Sequence, residues 1–285
     1  MLHHYITIAF RNLLKYKTQS IISILGLAIG FTFFSLSMLW IHYELTYDAF
    51  HDGADRIYLV HTEDSRVTSY PLAAYLTESF PEIESASNMT YSGGYIVIDG
   101  IKHESSIIST NKSFFDMFGI TIIEGDIDFL RPGSKKIAIT EATALRLFAN
   151  ESAIGKEIDI HGAKFTISAI ITGWKGHSNF YYEFVHAYRE NAYHAWSGCY
   201  LNTYVKLKEG INFNQFANKL YQHIIKEDDT ITDLLLLIPL TKIHYQSPIL
   251  NVPVKFTHVV IFSIVSILII LCALFNYLTI FVSRL

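Results

Sequence analysis

Cysteine is scarce in this chain of 285 residues, and only two are present. Cys272 lies inside a long apolar run, and Cys199 lies in the more polar middle of the chain. Two cysteines at such different depths are not expected to pair, because a disulfide needs Cα atoms within about 7 Å of each other. The fold must therefore be stabilised by burial of apolar side chains rather than by crosslinks.

The signature motifs of common catalytic chemistries are also missing. The sequence contains no G-x-x-x-x-G-K-[ST] phosphate loop, no G-x-S-x-G nucleophile elbow and no H-E-x-x-H metal motif. We therefore predict that the chain is not an enzyme, does not itself hydrolyse ATP and uses no cofactor. The formal net charge of −4 gives no reason to expect nucleic acid as a partner.

Charged residues are absent from two long apolar runs, residues 21–40 and 259–282. About 20 apolar residues at about 1.5 Å each give roughly 30 Å of helix, which matches the hydrocarbon thickness of a bilayer. We predict transmembrane helices at 21–41 and 258–282 and a domain of residues 42–257 on one side of the membrane. A cleaved signal peptide is the alternative for the first run, although no pair of small residues follows it as a cleavage site.

The charges that flank these runs predict an orientation. The first 20 residues contain Arg11, Lys15 and Lys17 and no acid, whereas four acids and no Lys or Arg lie between the first run and Arg56. The positive-inside rule places residues 1–20 and the end at 283–285 in the cytoplasm, and the middle domain outside. Residues 1–20 are predicted to form an amphipathic segment on the membrane surface, and a basic flank that only sets topology is the alternative.

The middle domain shows the same order of elements near both of its ends. Alternating and helically spaced apolar residues predict a strand, a helix and a second strand in each place. These two β-α-β units predict one α+β subdomain made of about residues 42–92 and 200–257. The six segments, in chain order, are 56–62, 70–80, 83–90, 202–208, 213–226 and 234–240.

Residues 93–199, which separate the two units, are predicted to form an inserted β-rich subdomain. Thr140 is a plausible N-cap for a helix that reaches Phe148. The aromatic residues at 114, 115 and 118 are predicted to pack under a turn that ends at Gly119. Turns between the short strands are predicted at Gly93-Gly94, Asp99-Gly100, Pro132-Gly133 and His161-Gly162.

Two pairs of residues are candidates for contacts between helices. Glu44 and Asp48 are four apart and share a face if the first span continues outward as a stalk helix, where they could contact a neighbouring stalk. A solvated acidic flank is the alternative. Gly26 and Gly30 form a small-xxx-small pair that permits close packing against another span, and a chance pair of glycines is the alternative.

The order of short motifs along the chain resembles a known family. The stretches RNLLKYKTQSIISILGLAIG (11–30) and YELTYDAFHDGADRIYLV (43–60) are similar to the start of bacterial ABC-transporter permeases of the MacB/FtsX type. Similar motifs follow through essentially the whole chain. They are YPL (70–72), FPE (80–82), SFFDMF (113–118), GD (125–126), ITE (139–141), IGK (154–156) and IPLTKIH (238–244).

The resemblance implies a MacB-like periplasmic core domain, with a porter-like part near the membrane and an inserted β-rich part. It implies a bacterial inner-membrane protein that works with a separate cytoplasmic ABC ATPase, with a second permease copy and with a periplasmic adaptor. ATP-driven closure would move the spans and the stalks would move the domain. In the second matching stretch, Tyr47, Phe50 and His51 join Glu44 and Asp48 as candidate coupling contacts.

The resembled permeases continue after their second span with a cytoplasmic coupling segment and further spans, whereas this chain ends at Leu285. We therefore expect a truncated permease subunit of an ABC-type exporter or mechanotransmission complex. Two other classes share the topology. One is a two-span sensor with an extracytoplasmic ligand-binding domain, and the other is a membrane-anchored adaptor that transports nothing.

Overall fold

The computed structural model describes residues 11, 15–149, 151–188, 196, 199–223, 234–246 and 255–282. These residues divide into two compact units. Helices α1 (Lys17–Leu45) and α7 (Phe256–Val282) form the first unit. The second unit is the α/β domain that begins at Thr46.

Both long helices are apolar around their whole circumference. Their candidate spans have mean hydropathies of 2.1 and 2.9, and only 6% and 17% of the residues in their most apolar windows are buried. A core helix of a water-soluble protein would be mostly buried, whereas exposed apolar surfaces of this length are typical of membrane-spanning helices. The helices are thus long and apolar enough to span a membrane.

In the α/β domain, eleven strands of the described residues form a single sheet. The strands are β1 (Ile57–His61), β2 (Thr68–Ser69), β3 (Ile83–Ile98), β4 (Ile101–Thr110), β5 (Ile122–Gly125), β6 (Lys136–Thr140), β7 (Glu157–Ile160), β8 (Ala163–Ile171), β9 (Phe184–Ala187), β10 (Cys199–Leu207) and β11 (Leu236–Pro239). The helices between them are α2 (Leu72–Ser79), α3 (Lys112–Phe118), α4 (Glu141–Phe148), α5 (Phe213–Tyr221) and α6 (Ile243–Gln246).

The two predicted β-α-β units are confirmed and interleave in one half of the sheet. The strand order there is β11-β1-β10-β3, and each neighbouring pair is antiparallel. Helix α2 connects β1 to β3, and α5 lies between β10 and β11 in the chain, so each unit is a split β-α-β. Leu76 and Phe80 pack with Phe216 and Leu220 in the core beneath the two helices. The part of the predicted 213–226 helix beyond residue 223 lies outside the described residues.

The long hairpin of β3 and β4 joins this half of the sheet to the inserted part. The turn predicted at Gly93-Gly94 is wrong, because both glycines lie inside β3 and pair with Ser106 and Ser105 of β4. Gly94 is instead favoured by its backbone, because its φ of +148° is one that residues with a Cβ rarely adopt; a Cβ there would also lie 2.8 Å from the Nε2 of the exposed His161 ring. The predicted turn at Asp99-Gly100 is confirmed, with φ of +50° and +79°, as in a tight two-residue hairpin loop.

The remaining strands extend the same sheet in the order β4-β9-β6-β8-β5. Strands β6 and β8 are parallel, and α4 follows β6 in the crossover between them. The predicted N-cap of α4 is confirmed, because the Thr140 side chain accepts a hydrogen bond from the Thr143 N–H.

Where a turn was predicted to end at Gly119, the chain forms the short helix α3. Its aromatic residues are buried and Gly119 caps it with φ +65°.

Candidate coupling site

The chain enters the α/β domain through a turn and not through a stalk helix. Helix α1 ends at Leu45, and Asp48 has a left-handed backbone with φ +56°. The condition for a shared face of Glu44 and Asp48, a helix that continues through Asp48, is therefore not met. Glu44 is buried in the last turn of α1. Asp48 is drawn into the domain by hydrogen bonds that a continuing helix would break.

The Asp48 carboxylate is fully buried and is satisfied by the loop that follows β8. It accepts hydrogen bonds from the Ser178 hydroxyl, from the Asn179 N–H (3.1 Å) and from the Asn179 side-chain amide (2.6 Å). The Asp48 N–H donates to the His177 carbonyl (3.1 Å). A buried carboxylate is stable only when its lone pairs are occupied in this way, so Asp48 fixes the entry of the chain to this loop.

The same loop also holds the segment at the other end of the domain. The Asn179 side-chain oxygen lies 3.0 Å from His244 Nδ1 in α6, and Tyr47 stacks on the His244 ring at a centroid distance of 3.6 Å. His177 meets the edge of Tyr47 at 4.7 Å. Leu240 and Ile243, just before His244, are buried in the same core as α3. The entry and exit segments are therefore bonded to one loop.

Aromatic side chains enclose the neighbouring His51. Its imidazole is buried and meets Trp174 at 4.8 Å and Phe118 of α3 at 5.0 Å, both edge to face. One ring nitrogen lies 3.4 Å from the Phe118 carbonyl, and the other lies 3.6 Å from the Asp48 carboxylate. Phe50 packs beside His51 at 4.1 Å. We call the residues 46–51, 174–180 and 244 the Asp48 junction.

The loop backbone approaches the entry segment so closely that only glycine fits at one position. A Cβ at Gly176 would lie 2.6 Å from Phe50 Cδ1. Near the junction, burial raises the pKa of Tyr204 to about 12, and it also raises the pKa of Tyr182. Both phenols are therefore neutral at physiological pH.

The contacts of the Asp48 junction join segments that are distant in the chain. The Ser178 hydroxyl donates its hydrogen bond to the Asp48 carboxylate and not to an imidazole. Ser178 and Asp48 therefore do not form part of a Ser-His-Asp relay. Within the described ranges, no three His, Cys, Asp or Glu side chains are placed to share a metal ion. What the junction does is bind together segments that are about 130 and 65 residues apart in the chain.

The two candidate glycines of α1 face α7. A Cβ at Gly30 would lie 2.7 Å from Ala273 Cβ, and one at Gly26 would lie 3.2 Å from the Asn276 amide. The absence of side chains at these positions lets the two helices approach closely, as small residues do in membrane helix pairs.

Of the other residues of the Asp48 junction, Ser178, Asn179 and Trp174 were not predicted from the sequence, whereas His244 was visible only as the end of the motif IPLTKIH.

The fold and the two apolar helices define a class: an α/β domain carried between two helices able to span a membrane. Residues 20–222 match the family described as the MacB-like periplasmic core domain. The match covers more than half of the chain, so the chain belongs to this family. The predicted resemblance to MacB/FtsX-type permeases is confirmed, and so is the fold class expected from it.

Solved structures of three domains are similar to this chain. A domain of a putative permease protein from Porphyromonas gingivalis is 21% identical, with a TM-score of 0.58, and covers 66% of this chain and 92% of its own. The periplasmic region of MacB from Actinobacillus actinomycetemcomitans is 16% identical (TM-score 0.51; 67% and 91% covered). The extracellular domain of the ABC-type transporter YknZ from Gram-positive bacteria is 10% identical (TM-score 0.49; 64% and 99%). No curated protein matches the sequence.

Proposed function

We propose that this chain is a membrane-spanning permease subunit of an ABC-type exporter or mechanotransmission complex. A separate cytoplasmic ATPase supplies the energy, and the spans carry its motion to the extracytoplasmic domain. Membership of the family of MacB-like periplasmic core domains indicates a transporter component rather than an enzyme. The observation that carries the mechanical part of the proposal is the Asp48 junction.

The junction suits force transmission because it lies close to the point where the chain enters the domain. Only Thr46 and Tyr47 separate the end of α1 from the buried carboxylate of Asp48. A displacement of the entry segment acts on the loop at 174–180, and the same loop holds His244 near the exit. Removing one partner of a buried, hydrogen-bonded charge typically destabilises a protein by about 3–5 kcal/mol. The contacts of the junction are therefore expected to stay intact when the entry segment is displaced.

The proposal includes an orientation and a set of partners. The basic residues before α1 and the acids after it favour a cytoplasmic N-terminus and a periplasmic domain in the bacterial inner membrane. The partners are the ATPase subunit, a second copy of the permease, the lipid bilayer and a periplasmic adaptor. Tyr47, Asp48, Phe50 and His51 are the proposed coupling residues that act through contacts inside the domain, and Glu44 is a proposed coupling residue in the last turn of α1.

Co-purification and distance measurements together test this function. The full-length protein is expressed with candidate ABC ATPase subunits of its source and purified in several detergents. A spin label is placed at Lys112, an exposed residue of α3, after both native cysteines are replaced. We expect an ATPase to co-purify, and we expect the distance between labels on two copies to change when ATP and vanadate trap the closed ATPase.

Two outcomes contradict the proposal. One is that no ATPase co-purifies in any detergent although both proteins are expressed. The other is that ATP is hydrolysed while the distance between the labels stays constant in both states. Asp48→Asn, which weakens the junction but leaves the spans intact, serves as the variant in which hydrolysis should continue and the distance change should shrink.

A further inference from the structure

A basic cleft lies in the inserted part of the domain. It has a volume of about 770 Å³ and is formed by the segment 131–136, the start of β8 and the end of β9. Ligand pockets in proteins have volumes of about 300–1,000 Å³, so this cleft has the size of a site for a small organic molecule. Its wall contains four cationic side chains and no carboxylate among the described residues.

The cations of the wall are Arg131, Lys135, Lys136 and Lys164. Three of them also contact acids that stand outside the wall. Asp128 bonds Lys136 at 2.8 Å and Arg131 at 3.6 Å, Asp126 lies 3.7 Å from Lys136, and Glu157 bonds Lys164 at 3.3 Å. Among the described residues, no carboxylate contacts Lys135. The four cations thus have three acids as partners between them. The cations lie in the wall of the cleft, whereas the acids lie outside it.

Lys135 is held in a conformation that costs energy. Its φ is +51°, in the left-handed region that lysine rarely adopts. Its carbonyl accepts a hydrogen bond from the Thr166 N–H (3.0 Å), which ties the strained residue to β8. Because backbone strain of this kind clusters at ligand clamps, a lysine kept there without an acidic partner points to an anion.

One side of the cleft is apolar. Ala163, Phe165 and Ala187 line it, and Phe165 packs against the His186 ring at 5.2 Å. The Tyr188 side chain, which is 4% exposed, also forms part of the lining. Such a surface favours a flat apolar group next to the cationic rim.

We propose that the cleft formed by Lys135, Lys164 and Phe165 binds an amphiphilic organic anion, with its phosphate or carboxylate head at the lysines and its apolar body on Phe165. The ammonium groups supply charge-assisted hydrogen bonds to the head, and the apolar lining excludes water from the body. This site does not depend on the proposed coupling to an ATPase. The anion comes either from the aqueous phase or from a lipid headgroup.

Equilibrium dialysis with 1-naphthyl phosphate tests the site on the full chain in phosphatidylcholine nanodiscs, with empty nanodiscs as the blank. We expect saturable binding of one molecule per chain, about tenfold tighter than 1-naphthol, which lacks the head, or inorganic phosphate, which lacks the body. The variant Lys135→Asn/Lys164→Gln should weaken binding about tenfold. Asparagine tolerates the left-handed backbone at 135, so the fold is retained.

The matched control is Lys112→Gln/Lys208→Gln, which removes the same charge from exposed residues elsewhere in the domain. Binding should stay within about twofold of the unmodified protein, since charges beyond a Debye length are screened. Equal weakening by both double variants, or no saturable binding by the unmodified protein, overturns the proposal. If the Lys135→Asn/Lys164→Gln variant fails to fold, the salt dependence of binding to the unmodified protein tests the proposal instead. Raising NaCl from about 0.05 M to about 0.5 M should weaken the naphthyl phosphate several-fold and leave naphthol unchanged.

Competition identifies the source of the anion. Glycerol phosphate represents a water-borne ligand, and lysophosphatidic acid represents a lipid headgroup. Displacement of the probe by either supports an anion site, and the competitor effective at the lower concentration names the source. Displacement by neither overturns the phosphate assignment, and a carboxylate probe, 1-naphthoate, then has to bind at the same lysines for the site to stand.

Discussion

Asp48→Asn is the most direct test of the junction, because it removes the buried charge and preserves both the shape and the left-handed backbone preference. Two of the three hydrogen bonds become neutral, which loses about 1 kcal/mol each. The third donor faces the NH2 group of the new amide, which cannot accept a hydrogen bond. Leaving that buried donor unsatisfied costs about 1–3 kcal/mol of stability. The variant should therefore be less stable by about 3–5 kcal/mol, which corresponds to a melting temperature lowered by about 6–20 °C for a domain of this size.

The fluorescence of Trp174 reports the loss of stability at the junction itself, since its indole contacts the His51 ring edge to face at a centroid distance of 4.8 Å. With the two other tryptophans replaced by phenylalanine, the fluorescence of Trp174 follows thermal unfolding of the full chain in nanodiscs. Asp116→Asn is the control, because Asp116 pairs with Lys112 on an exposed surface and should contribute less than about 0.5 kcal/mol. A melting temperature of Asp48→Asn within about 1 °C of the parent would refute the reasoning.

Three further predictions follow from particular contacts. Asp48→Asn and His244→Ala should be non-additive in thermal unfolding by about 1 kcal/mol, because one amide bonds both residues. Gly94→Ala should cost about 1–3 kcal/mol in denaturant titrations because its φ of +148° strains any residue with a Cβ, and His161→Ala in the same chain should recover little of this, since the exposed His161 ring can turn away. A hydrogen bond from a lysine of α5 lowers the pKa of Glu82, so its stabilisation is present above the ordinary carboxyl pKa and lost as pH falls through the lowered value. Glu82→Gln should thus be less stable by up to about 1 kcal/mol at neutral pH and equal to the parent in acid.

Local patterns were enough to predict the long elements of this chain. Uncharged runs predicted the two apolar helices, and helical spacing predicted α2 and α5. Thr140 predicted the start of α4 because an N-cap is a contact between residues three apart. The Gly93-Gly94 prediction failed because a glycine pair can form a turn or lie inside a strand, and only the pairing with β4 distinguishes the two. Helix α3 has seven residues, too few for a helical period to show.

The partners of Asp48 could not be predicted, because no local pattern links residues about 130 positions apart. Asn179 and Ser178 stand in the sequence as two ordinary polar residues of a loop. They acquire a role only when β8 and β9 bring that loop beside the entry segment and α6. The resemblance to a family did mark Tyr47, Asp48, Phe50 and His51, but it marked them for stalk contacts rather than for contacts inside the domain.

The end of α1 at Leu45 changes how force would reach the domain under the proposed function. A helix that continued through Asp48 would act as a lever on whatever it touched outside the domain. The observed turn attaches the chain to the loop at 174–180, and Asn179 passes the load to His244 near the exit. His51 carries it to α3 through Phe118, and α3 packs on β3, the strand that spans both halves of the sheet. Under the proposed function, a motor that moved the entry segment would therefore load the sheet through this loop and α3. This is why a single buried carboxylate is a sharper target for testing coupling than any residue on the surface.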